Sequence, residues 1–435
     1  MALGLSAVPM ELVQMREAYV VGVGMTPFGR HLDKSVKQLT ADAVSEALRD
    51  ARCSPEQVNV AFFGNSVQGF MEGQLYIRGQ IALLAMGFDG IPIHNVENAC
   101  ATGSTAFHLA VNQIRAGAAD VALAVGVEKM YSQDKAKMFA QFDSGWDIET
   151  VPENVRRLTA LGAGIEIPLH TTSDKPYSVF MDVYAAFGRQ LMKRFGITQR
   201  QIAAVASKNH GHSVHNGRAQ YRAAISIDEV LAAPPIAYPM TLPMCAPISD
   251  GGAAAIVCSK EGLGRLGLGK QAVKVRASVM RSASHRNGDD LDHHVTRLAA
   301  RAAYEQAGIG PADVDVAEVH DATAVGELLH VENLEFCAPG DSGRMAESGE
   351  TTIGGRLPIN PSGGLESKGH PVGATGLGQI FELVSQLRGS SAERQVERAR
   401  LALQENGGGL WGVEEAAVHV AIFEAPAIGF VHAVR

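Results

Sequence analysis

The sequence predicts an α/β protein built from two similar halves. Short apolar segments alternate with segments of helical periodicity, a pattern typical of parallel strands covered by helices. Residues 51–60, which contain a helix end, a turn begun by Pro55 and a strand, have a counterpart of the same form in residues 307–316. Residues 100–103 (CATG) are echoed by residues 373–376 (GATG), and each tetrapeptide opens a helical pattern. Two such matches in the same order indicate an internal repeat.

The elements of the first half follow in order along the chain. Apolar runs bounded by glycine and proline predict strands, and the periodicity of residues 41–51 predicts a helix between the first two. A final strand at residues 417–422 is predicted to correspond to the strand at residues 121–126. The predicted strands up to the middle of the chain are residues 19–24, 58–64, 121–126 and 248–258.

A segment from about residue 128 to residue 243 breaks this alternation. It contains a stretch punctuated by proline and glycine, then helical runs at residues 184–195 and 198–209. Thr198 followed by Gln201 is typical of a capping box at a helix start. We therefore predict an inserted, mostly helical subdomain. The expected boundaries are residues 1–128 plus 247–270 for the first half, 129–246 for the insert and 271–435 for the second half.

Composition limits the class of protein. A chain of 435 residues with 46% hydrophobic and 19% charged residues can build two or three domain-sized units around an ample core. The net charge of -8, with no block of lysine and arginine to offset it, argues against a nucleic-acid-binding protein. No apolar run in the sequence reaches the length needed to span a membrane.

Cysteine usage and the chain ends favour a cytoplasmic location. The five cysteines form no CxxC pair and show no disulfide-like spacing, and such an odd, sparse set suits a reducing compartment. Residues 1–16 lack the basic start and apolar core of a signal peptide. The C-terminal residues 432–435 match no address tag.

Cys100 lies where a strand is expected to turn into a helix. Small residues follow the apolar approach of residues 91–96, and residues 106–114 then show the spacing of one buried helix face. At a helix N-terminus the unpaired N–H groups and the dipole favour a thiolate, lower a cysteine's pKa and can stabilise a negative oxygen on a bound carbonyl. Cys100 is therefore a candidate nucleophile. The alternative is a small cysteine that serves only the core.

The second half contains the groups that a cysteine nucleophile requires. His370 lies just before the helix that mirrors the one after Cys100, and a histidine in contact with a cysteine can take its proton. His320 ends the second strand of this half, at the sheet edge where α/β proteins bind ligands. The glycine run of residues 407–409 lets backbone N–H groups approach a substrate. Each feature alone also fits a structural role, as a loop histidine, a strand-end cap or a glycine turn.

Together these motifs resemble those of the thiolase family, and within it the bacterial sterol-carrier-protein-type branch. The resemblance covers nearly the whole chain, and it implies a five-layered α/β/α/β/α fold in which the insert helps to bind coenzyme A. The motifs that carry it are GVGMTPFG at residues 22–29, NACATGS at 98–104, GVEKM at 126–130, KNH at 208–210, PISDGGAAA at 247–255, EVHD at 318–321 and NPSGGLESKGHPVGATG at 360–376.

The resemblance also implies a role for each matched residue. Cys100 carries an acyl group as a thioester, and His370 activates it. His320 and His370 line an oxyanion pocket for the thioester carbonyl, and the N–H groups of Cys100 and Gly407 form a second pocket. Coenzyme A enters as a substrate, no metal is expected in this chain, and the default assembly is a homodimer or tetramer. The candidates for coenzyme A contacts are Lys208, Arg218, Arg222 and Ser249.

The sequence departs from the family where a second acid/base is expected. That group is usually a cysteine after the His-Asp pair or before the glycine run, but Ala322 and Glu405 stand there, and Cys337 is too distant and is expected to be structural. Glu405 is a candidate replacement, because a partly buried carboxyl group with a raised pKa suits proton transfer. The alternatives are a solvated glutamate and a reaction that needs no such group. Trp411 suggests a bulky or aromatic acyl pocket, unless it only packs.

These expectations lead to one favoured function and two alternatives. The favoured function is thiolytic cleavage of a β-ketoacyl-CoA with a branched, aromatic or otherwise bulky acyl group, through an acyl–enzyme on Cys100. The first alternative is a carbon–carbon lyase or acyltransferase that works with a small zinc-ribbon/OB-fold partner in steroid or aromatic degradation. The second is a non-catalytic acyl-CoA- or lipid-binding protein, against which the joint presence of Cys100, His320 and His370 argues.

Overall fold

The computed structural model describes residues 15–426. The expectations about a signal peptide and an address tag concern residues outside this range, apart from Met15 and Arg16, and none of the helices within it is long and apolar enough to cross a membrane. The strands are β1 Tyr19–Met25, β2 Val60–Gly64, β3 Ile93–Val96, β4 Val121–Glu128, β5 Pro235–Ala237, β6 Met240–Thr241, β7 Gly251–Cys258, β8 Val273–Ser282, β9 Val316–Glu318, β10 Leu401–Trp411 and β11 Glu414–Glu424. The helices are α1 Val36–Asp50, α2 Gln68–Glu72, α3 Arg78–Leu84, α4 Thr102–Arg115, α5 Lys135–Ala140, α6 Val151–Ala160, α7 Phe180–Phe195, α8 Gln199–Ser213, α9 Ile227–Ala232, α10 Lys260–Leu266, α11 Val295–Ala307, α12 Ala324–Asn333, α13 Ser342–Glu347 and α14 Thr375–Leu387.

Nine of the strands form one sheet that is assembled from two equivalent halves. The order is β3-β2-β4-β7-β1-β8-β11-β10-β9, and the antiparallel pair β1–β8 joins the halves. A single parallel bridge from Ala317 to Ile359 stands in the second half where β3 stands in the first. We number the strands of each half from its first strand, leave out the β5–β6 hairpin, and count the Ile359 bridge as the third strand of the second half. Both halves then have the strand order 3-2-4-5-1. The internal repeat predicted from the sequence is therefore present.

The correspondence and direction of some strands differ from the prediction. The strand at residues 417–422 is part of β11, which pairs antiparallel with β10 and β8, just as β7 pairs with β4 and β1. It therefore corresponds to β7, and β10 is the counterpart of β4. The sheet is mixed rather than parallel, because the chain returns into it through the insert before β7 and through a tight hairpin before β11. Alternation of strands and helices does not fix the direction of such returning strands.

The helices and the two sheet halves form five layers. α4 and α14 lie in the middle, where they share one core with the inner faces of both halves of the sheet. α1 and α3 cover the outer face of the first half, and α11 and α12 cover that of the second. Neighbouring strand residues point into different cores, as Leu123 and Ala124 of β4 do. This is the arrangement that the resemblance implied.

The segment between β4 and β7 is mostly helical and has its own core. α7, α8 and α9 pack there with the β5–β6 hairpin and with part of α12, which fixes the segment to the second half. α8 begins with the capping box that the sequence predicts. The Gln201 N–H donates to the Thr198 hydroxyl at 3.2 Å, and the Thr198 N–H donates to the Gln201 side chain at 3.0 Å.

The two halves meet at glycines whose surroundings leave no room for a side chain. A Cβ atom added to Gly126 of β4 would lie 2.0 Å from the carbonyl oxygen of Gly373, and one added to Gly376 of α14 would lie 1.9 Å from the Ser104 hydroxyl of α4. Such distances leave no room for any side chain at these positions. The starts of α4 and α14 can approach each other only because glycine occupies them.

We expect Gly126→Ala to lower the free energy of unfolding by about 2–3 kcal/mol, because the added methyl group must displace the Gly373 backbone. Urea denaturation followed by circular dichroism measures the change. Gly211→Ala is the matched control: a methyl group added to this residue of α8 would have no atom within 4 Å, so stability should stay equal or rise by up to about 1 kcal/mol. Equal stability of the two variants would contradict the close contact.

Candidate active site

Cys100 lies in the turn that leads from β3 into α4. The turn is one stretch of 3-10 helix, Ala99–Ala101, and Ala99 adopts a left-handed backbone with φ of 48°. The Glu97 carboxylate accepts a hydrogen bond from the Ala99 N–H, and the Thr102 hydroxyl accepts one from the Asn98 N–H at 2.8 Å. The predicted placement of the cysteine between strand and helix is confirmed, and local hydrogen bonds hold its backbone in place.

Cys100 shares one cavity with the two histidines expected from the sequence. Its Sγ atom and one ring nitrogen each of His320 and His370 all lie within 4.8 Å of one another. The two imidazole rings have centroids 5.3 Å apart. All three residues line a cavity of about 570 Å³. Residues that are 270 positions apart in the sequence therefore meet at one point.

His370 is held as a base that faces the thiol. The Thr375 hydroxyl donates to the Pro371 carbonyl at 3.0 Å, so its oxygen must accept the hydrogen bond from His370 Nδ1 at 2.7 Å. That bond places the proton of the neutral ring on Nδ1 and leaves the Nε2 lone pair free. The Ser249 hydroxyl accepts from the His370 backbone N–H at 3.1 Å. Ser249 is fully buried, so the structure gives it a positioning contact with His370.

His320 presents an imidazole without protein partners to the cavity. Its backbone N–H donates to Glu405 Oε2 at 3.0 Å, which fixes the residue just after β9. Within residues 15–426, neither of its buried ring nitrogens has a hydrogen-bond partner. Buried polar atoms in folded proteins are nearly always paired. The unpaired nitrogens are therefore suited to a polar atom of a substrate.

Burial keeps the thiol and both imidazoles neutral in the resting site. It raises the pKa of Cys100 to about 12, and the carboxylates Glu97 and Glu128 add to this effect. It lowers the pKa of His370 well below its usual value and that of His320 to about 3. The sequence had suggested a lowered cysteine pKa. The N–H groups near the sulfur do act in that direction, but loss of solvation is the larger effect.

The glycine run lies inside β10 and contacts the turn of Cys100. A Cβ atom on Gly408 would lie 2.3 Å from the Asn98 carbonyl oxygen. The N–H groups that favour negative charge on the Cys100 sulfur are those of Cys100 itself and Gly409. Gly407, the position expected from the resemblance, lies next to His320 and Glu415 instead. A Cβ atom added to Gly407 would lie 3.3 Å from His320 Nδ1 and 2.7 Å from Glu415 Cγ. The structure thus brings Gly409 rather than Gly407 to the sulfur.

The acidic residue in the cavity wall is not the one that the sequence singled out. Glu405 is fully buried behind His320, does not line the cavity, and has its pKa raised well above the usual value by burial. Glu415 of β11 does line the cavity, and burial raises its pKa to about 7. Sequence reasoning missed Glu415. One signal could have pointed to Glu415: it is an acidic residue in the strand at residues 414–424, and the middle of that strand is almost entirely apolar.

The other expected contacts lie away from the cavity. The ammonium group of Lys208 is buried 2.7 Å from the Glu327 carboxylate, and Arg218 pairs with Glu46 at 2.6 Å. Both cations are thus engaged within the protein, whereas Arg222 is exposed. Trp411 is 49% exposed and does not line the cavity, so it does not form the acyl pocket that the sequence suggested.

Comparison with known proteins gives consistent matches along the chain. The family description "Thiolase, N-terminal domain" matches residues 18–230, and "Thiolase C-terminal domain-like" matches residues 277–421. Human sterol carrier protein 2 is 36% identical over 411 residues, which cover 92% of this chain and 72% of the relative. Benzoylsuccinyl-CoA thiolase subunit BbsB of Thauera aromatica is 36% identical over 403 residues, which cover 91% and 95% of the two chains. Acetyl-CoA acetyltransferase of Methanothermobacter thermautotrophicus is 34% identical over 415 residues, which cover 93% and 99%.

Two solved structures have the same fold. The Ltp2-ChsH2(DUF35) aldolase has a TM-score of 0.74 and 22% identity, and the match covers 94% of this chain and 98% of that chain. Human mitochondrial 3-ketoacyl-CoA thiolase in complex with CoA has a TM-score of 0.66 and 16% identity, with 95% and 99% covered. The five-layered arrangement of the two halves is therefore shared with enzymes of known structure.

Because burial holds Cys100 as a thiol, we expect iodoacetamide to alkylate it more slowly at pH 7 than it alkylates N-acetylcysteine in the same tube. The rate should rise about tenfold per pH unit between pH 7 and pH 10, since the thiolate fraction grows in that proportion below a raised pKa. Peptide mass spectrometry over time measures the rate at this residue. A rate that is already constant above pH 6 would show a preformed thiolate–imidazolium pair and contradict this view.

Proposed function

The chain belongs to the thiolase family and is a thiolase-type acyltransferase, and from this premise we propose that it cleaves a β-ketoacyl-CoA by thiolysis through an acyl–enzyme on Cys100. The observation that supports this proposal most directly is the meeting of the Cys100 sulfur with ring nitrogens of His320 and His370, within 4.8 Å, in one cavity. A thiol and two imidazoles at this spacing are also able to bind a metal ion. We favour acyl transfer because each of the three groups has a function in it.

The first step is attack of the Cys100 sulfur on the keto carbon. The free Nε2 of His370 takes the thiol proton as the carbon–sulfur bond forms, so a thiolate need not exist beforehand. This order suits a site that stabilises neutral groups, since charge appears only when the substrate is present to accept it. His370 then holds the proton until the sulfur leaves the acyl group again.

The oxygen of the attacked carbonyl becomes negative and requires hydrogen-bond donors. His320, whose ring nitrogens have no partner among the described residues, is placed to donate one hydrogen bond to such an oxygen. The backbone N–H groups of Cys100 and Gly409 point at the reacting sulfur and provide a second set of donors. Preorganised donors of this kind typically contribute about 3–4 kcal/mol each to an acyl-transfer transition state.

The cavity favours a bulky acyl group over a short chain. Its volume of about 570 Å³ exceeds what an acetyl group needs, and five aromatic side chains contribute to its wall. Coenzyme A is the second substrate, and exposed Arg222 is the member of the four proposed coenzyme A contacts that stays available for a phosphate. The aromatic residues that line the cavity are Phe139, Phe142, Tyr177, Phe180 and Tyr184.

A second candidate function is a carbon–carbon lyase or acyltransferase that requires a small zinc-ribbon/OB-fold subunit. One relative is named as a subunit, which favours such an assembly.

The surface beside the edge strand β3 is apolar, with Tyr76 76% exposed. We propose that a second copy of the chain covers this surface, because an unpaired strand edge beside apolar side chains favours pairing with an equivalent edge. The exposed apolar residues there are Phe70, Leu75, Tyr76 and Ile77.

We expect intact-protein mass spectrometry to show an acyl adduct after the chain is mixed with acetoacetyl-CoA or benzoylacetyl-CoA. The adduct should be absent from Cys100→Ala, should form at least about 100-fold more slowly in His370→Ala, and should disappear when free coenzyme A is added. Benzoylacetyl-CoA should load faster because of the aromatic cavity wall. No adduct from any ester would reject thiolysis by the isolated chain and favour the partner-dependent lyase.

We expect Tyr76→Asp combined with Ile77→Asp to convert a dimer into a monomer, because two buried carboxylates would oppose an apolar interface. Light scattering after gel filtration measures the mass of each species. Leu169→Asp is the control, since Leu169 is 87% exposed in a different part of the chain. A dimer that survives the double substitution would place the interface elsewhere.

A further inference from the structure

Thiolysis requires a proton donor in addition to Cys100, His320 and His370. When the bond between the keto carbon and the α-carbon breaks, its electron pair stays on the α-carbon, which must receive a proton. Coenzyme A must later lose the proton of its thiol before its sulfur attacks the acyl–enzyme. His370 already holds the proton from Cys100 during the first of these steps. A further group in the cavity wall must therefore give a proton and then take one.

We propose that Glu415 is this group, a catalytic acid that becomes a base within the same turnover. This proposal rests on the thiolytic reaction proposed above. Its carboxyl group would donate to the α-carbon of the departing acyl-CoA and would then accept the thiol proton of coenzyme A.

The position of Glu415 fits both transfers. It lines the same cavity as Cys100, His320 and His370, and it is 94% buried. Gly407 lies between Glu415 and His320: a Cβ atom added to it would lie 2.7 Å from Glu415 Cγ and 3.3 Å from His320 Nδ1. Because glycine has no side chain, the carboxyl group and the imidazole form one continuous wall. Glu415 Oε2 has no hydrogen-bond partner among the described residues, so no protein group there occupies this oxygen.

Among the described residues that surround Glu415, none offers it an unpaired positive charge. Arg286, whose charge acts on Glu415, forms a buried ion pair with Glu414. His330 Nε2 lies 3.4 Å from Glu415 Oε1, and His294 Nε2 lies 3.9 Å from Oε2. Burial lowers the pKa of His330 to about 3 and that of His294 well below its usual value, so both rings are neutral.

A second buried acid, Glu405, lies on the other side of His330 from Glu415. The Nδ1 atom of His330 lies 3.4 Å from Glu405, whose negative form would disfavour ionisation of Glu415. Burial raises the pKa of Glu415 itself to about 7, with neighbouring Glu414 adding to the effect and Arg286 opposing it. Near neutral pH the carboxyl group can therefore be populated in both protonation states, which the two transfers require.

The other titratable residues that line the cavity fit these transfers less well. The Cys245 thiol lies 3.7 Å from the Thr241 carbonyl, to which it donates, and burial raises its pKa. Tyr177 donates its hydroxyl proton to Asp182 at 3.0 Å, and burial raises the pKa of Tyr184 well above its usual value. Glu97 accepts a hydrogen bond in the Cys100 turn. Among these groups of the described chain, Glu415 is the one that has both an oxygen without a hydrogen-bond partner and a pKa of about 7.

The steps balance in protons and electrons. Attack forms the bond between sulfur and the keto carbon, and the Cys100 proton moves to His370. The carbon–carbon bond then breaks, and its electron pair takes the Glu415 proton to form a new C–H bond. Coenzyme A next gives its thiol proton to the Glu415 carboxylate while its sulfur attacks the acyl group. The acyl–sulfur bond of Cys100 breaks, and the thiolate recovers its proton from His370, so both residues return to their first states.

The test separates acyl loading from carbon–carbon cleavage. We expect Glu415→Gln to lower kcat for thiolysis of acetoacetyl-CoA or benzoylacetyl-CoA by about 10²–10⁴-fold. The same variant should load Cys100 within threefold of the wild-type rate from an acetyl thioester of 5-thio-2-nitrobenzoate, because that thiolate leaves without a proton. Unchanged loading also shows that the variant is folded. The wild-type thiolysis rate should fall above about pH 7, and the residual rate of Glu415→Gln should lack this fall.

Cys245→Ala is the matched control, a second substitution of a titratable residue in the same wall, and it should reduce thiolysis less than threefold. Three results would overturn the assignment: thiolysis by Glu415→Gln within threefold of wild type, loss of loading from the activated thioester in that variant, or loss of thiolysis in Cys245→Ala alone. A wild-type chain that loads no acyl group would instead reject the proposed function itself, and the role of Glu415 with it.

Discussion

The structure depends on close contacts between its two halves that only glycine allows. Gly126 packs on the Gly373 backbone, and Gly376 packs on Ser104, at distances that exclude even a methyl group. Cys100 lies two residues before the start of α4 and His370 lies five residues before the start of α14, so this contact also sets the distance between thiol and base. The middle layer of the fold thus supports the site.

Burial then determines how the site handles charge. The same loss of solvation raises the pKa of Cys100, lowers the pKa values of His320 and His370, and raises the pKa of Glu415 to about 7. Cys100, His320 and His370 are therefore neutral before the substrate arrives, and Glu415 is divided between its two protonation states near neutral pH. Charge forms during the reaction, where the imidazole of His320 and the N–H of Gly409 can stabilise it. A low-dielectric site makes such fixed donors more effective than they would be in water.

The sequence is informative wherever a local pattern determines the structure, and less so where distant residues decide it. The repeat, the turn at Cys100 and the histidine before the second helix follow from short motifs and from periodicity. The direction of β11 depends on its partners β8 and β10, which adjacent residues do not specify. Lys208 reads as a surface cation until Glu327, 119 positions later, is found 2.7 Å away. Glu415 belongs to an acidic pair at the start of an apolar strand, and only the folded β10–β11 hairpin brings it to the cavity.

The most direct test of this mechanism is a structure of the chain after reaction with an acyl-CoA in the absence of free coenzyme A. The mechanism predicts a thioester on Cys100 Sγ, with its carbonyl oxygen within hydrogen-bond distance of a His320 ring nitrogen or of the Gly409 N–H, and with the Glu415 carboxyl group facing the acyl carbon. An acyl group on any other residue, or a carbonyl oxygen that contacts neither donor, would contradict it.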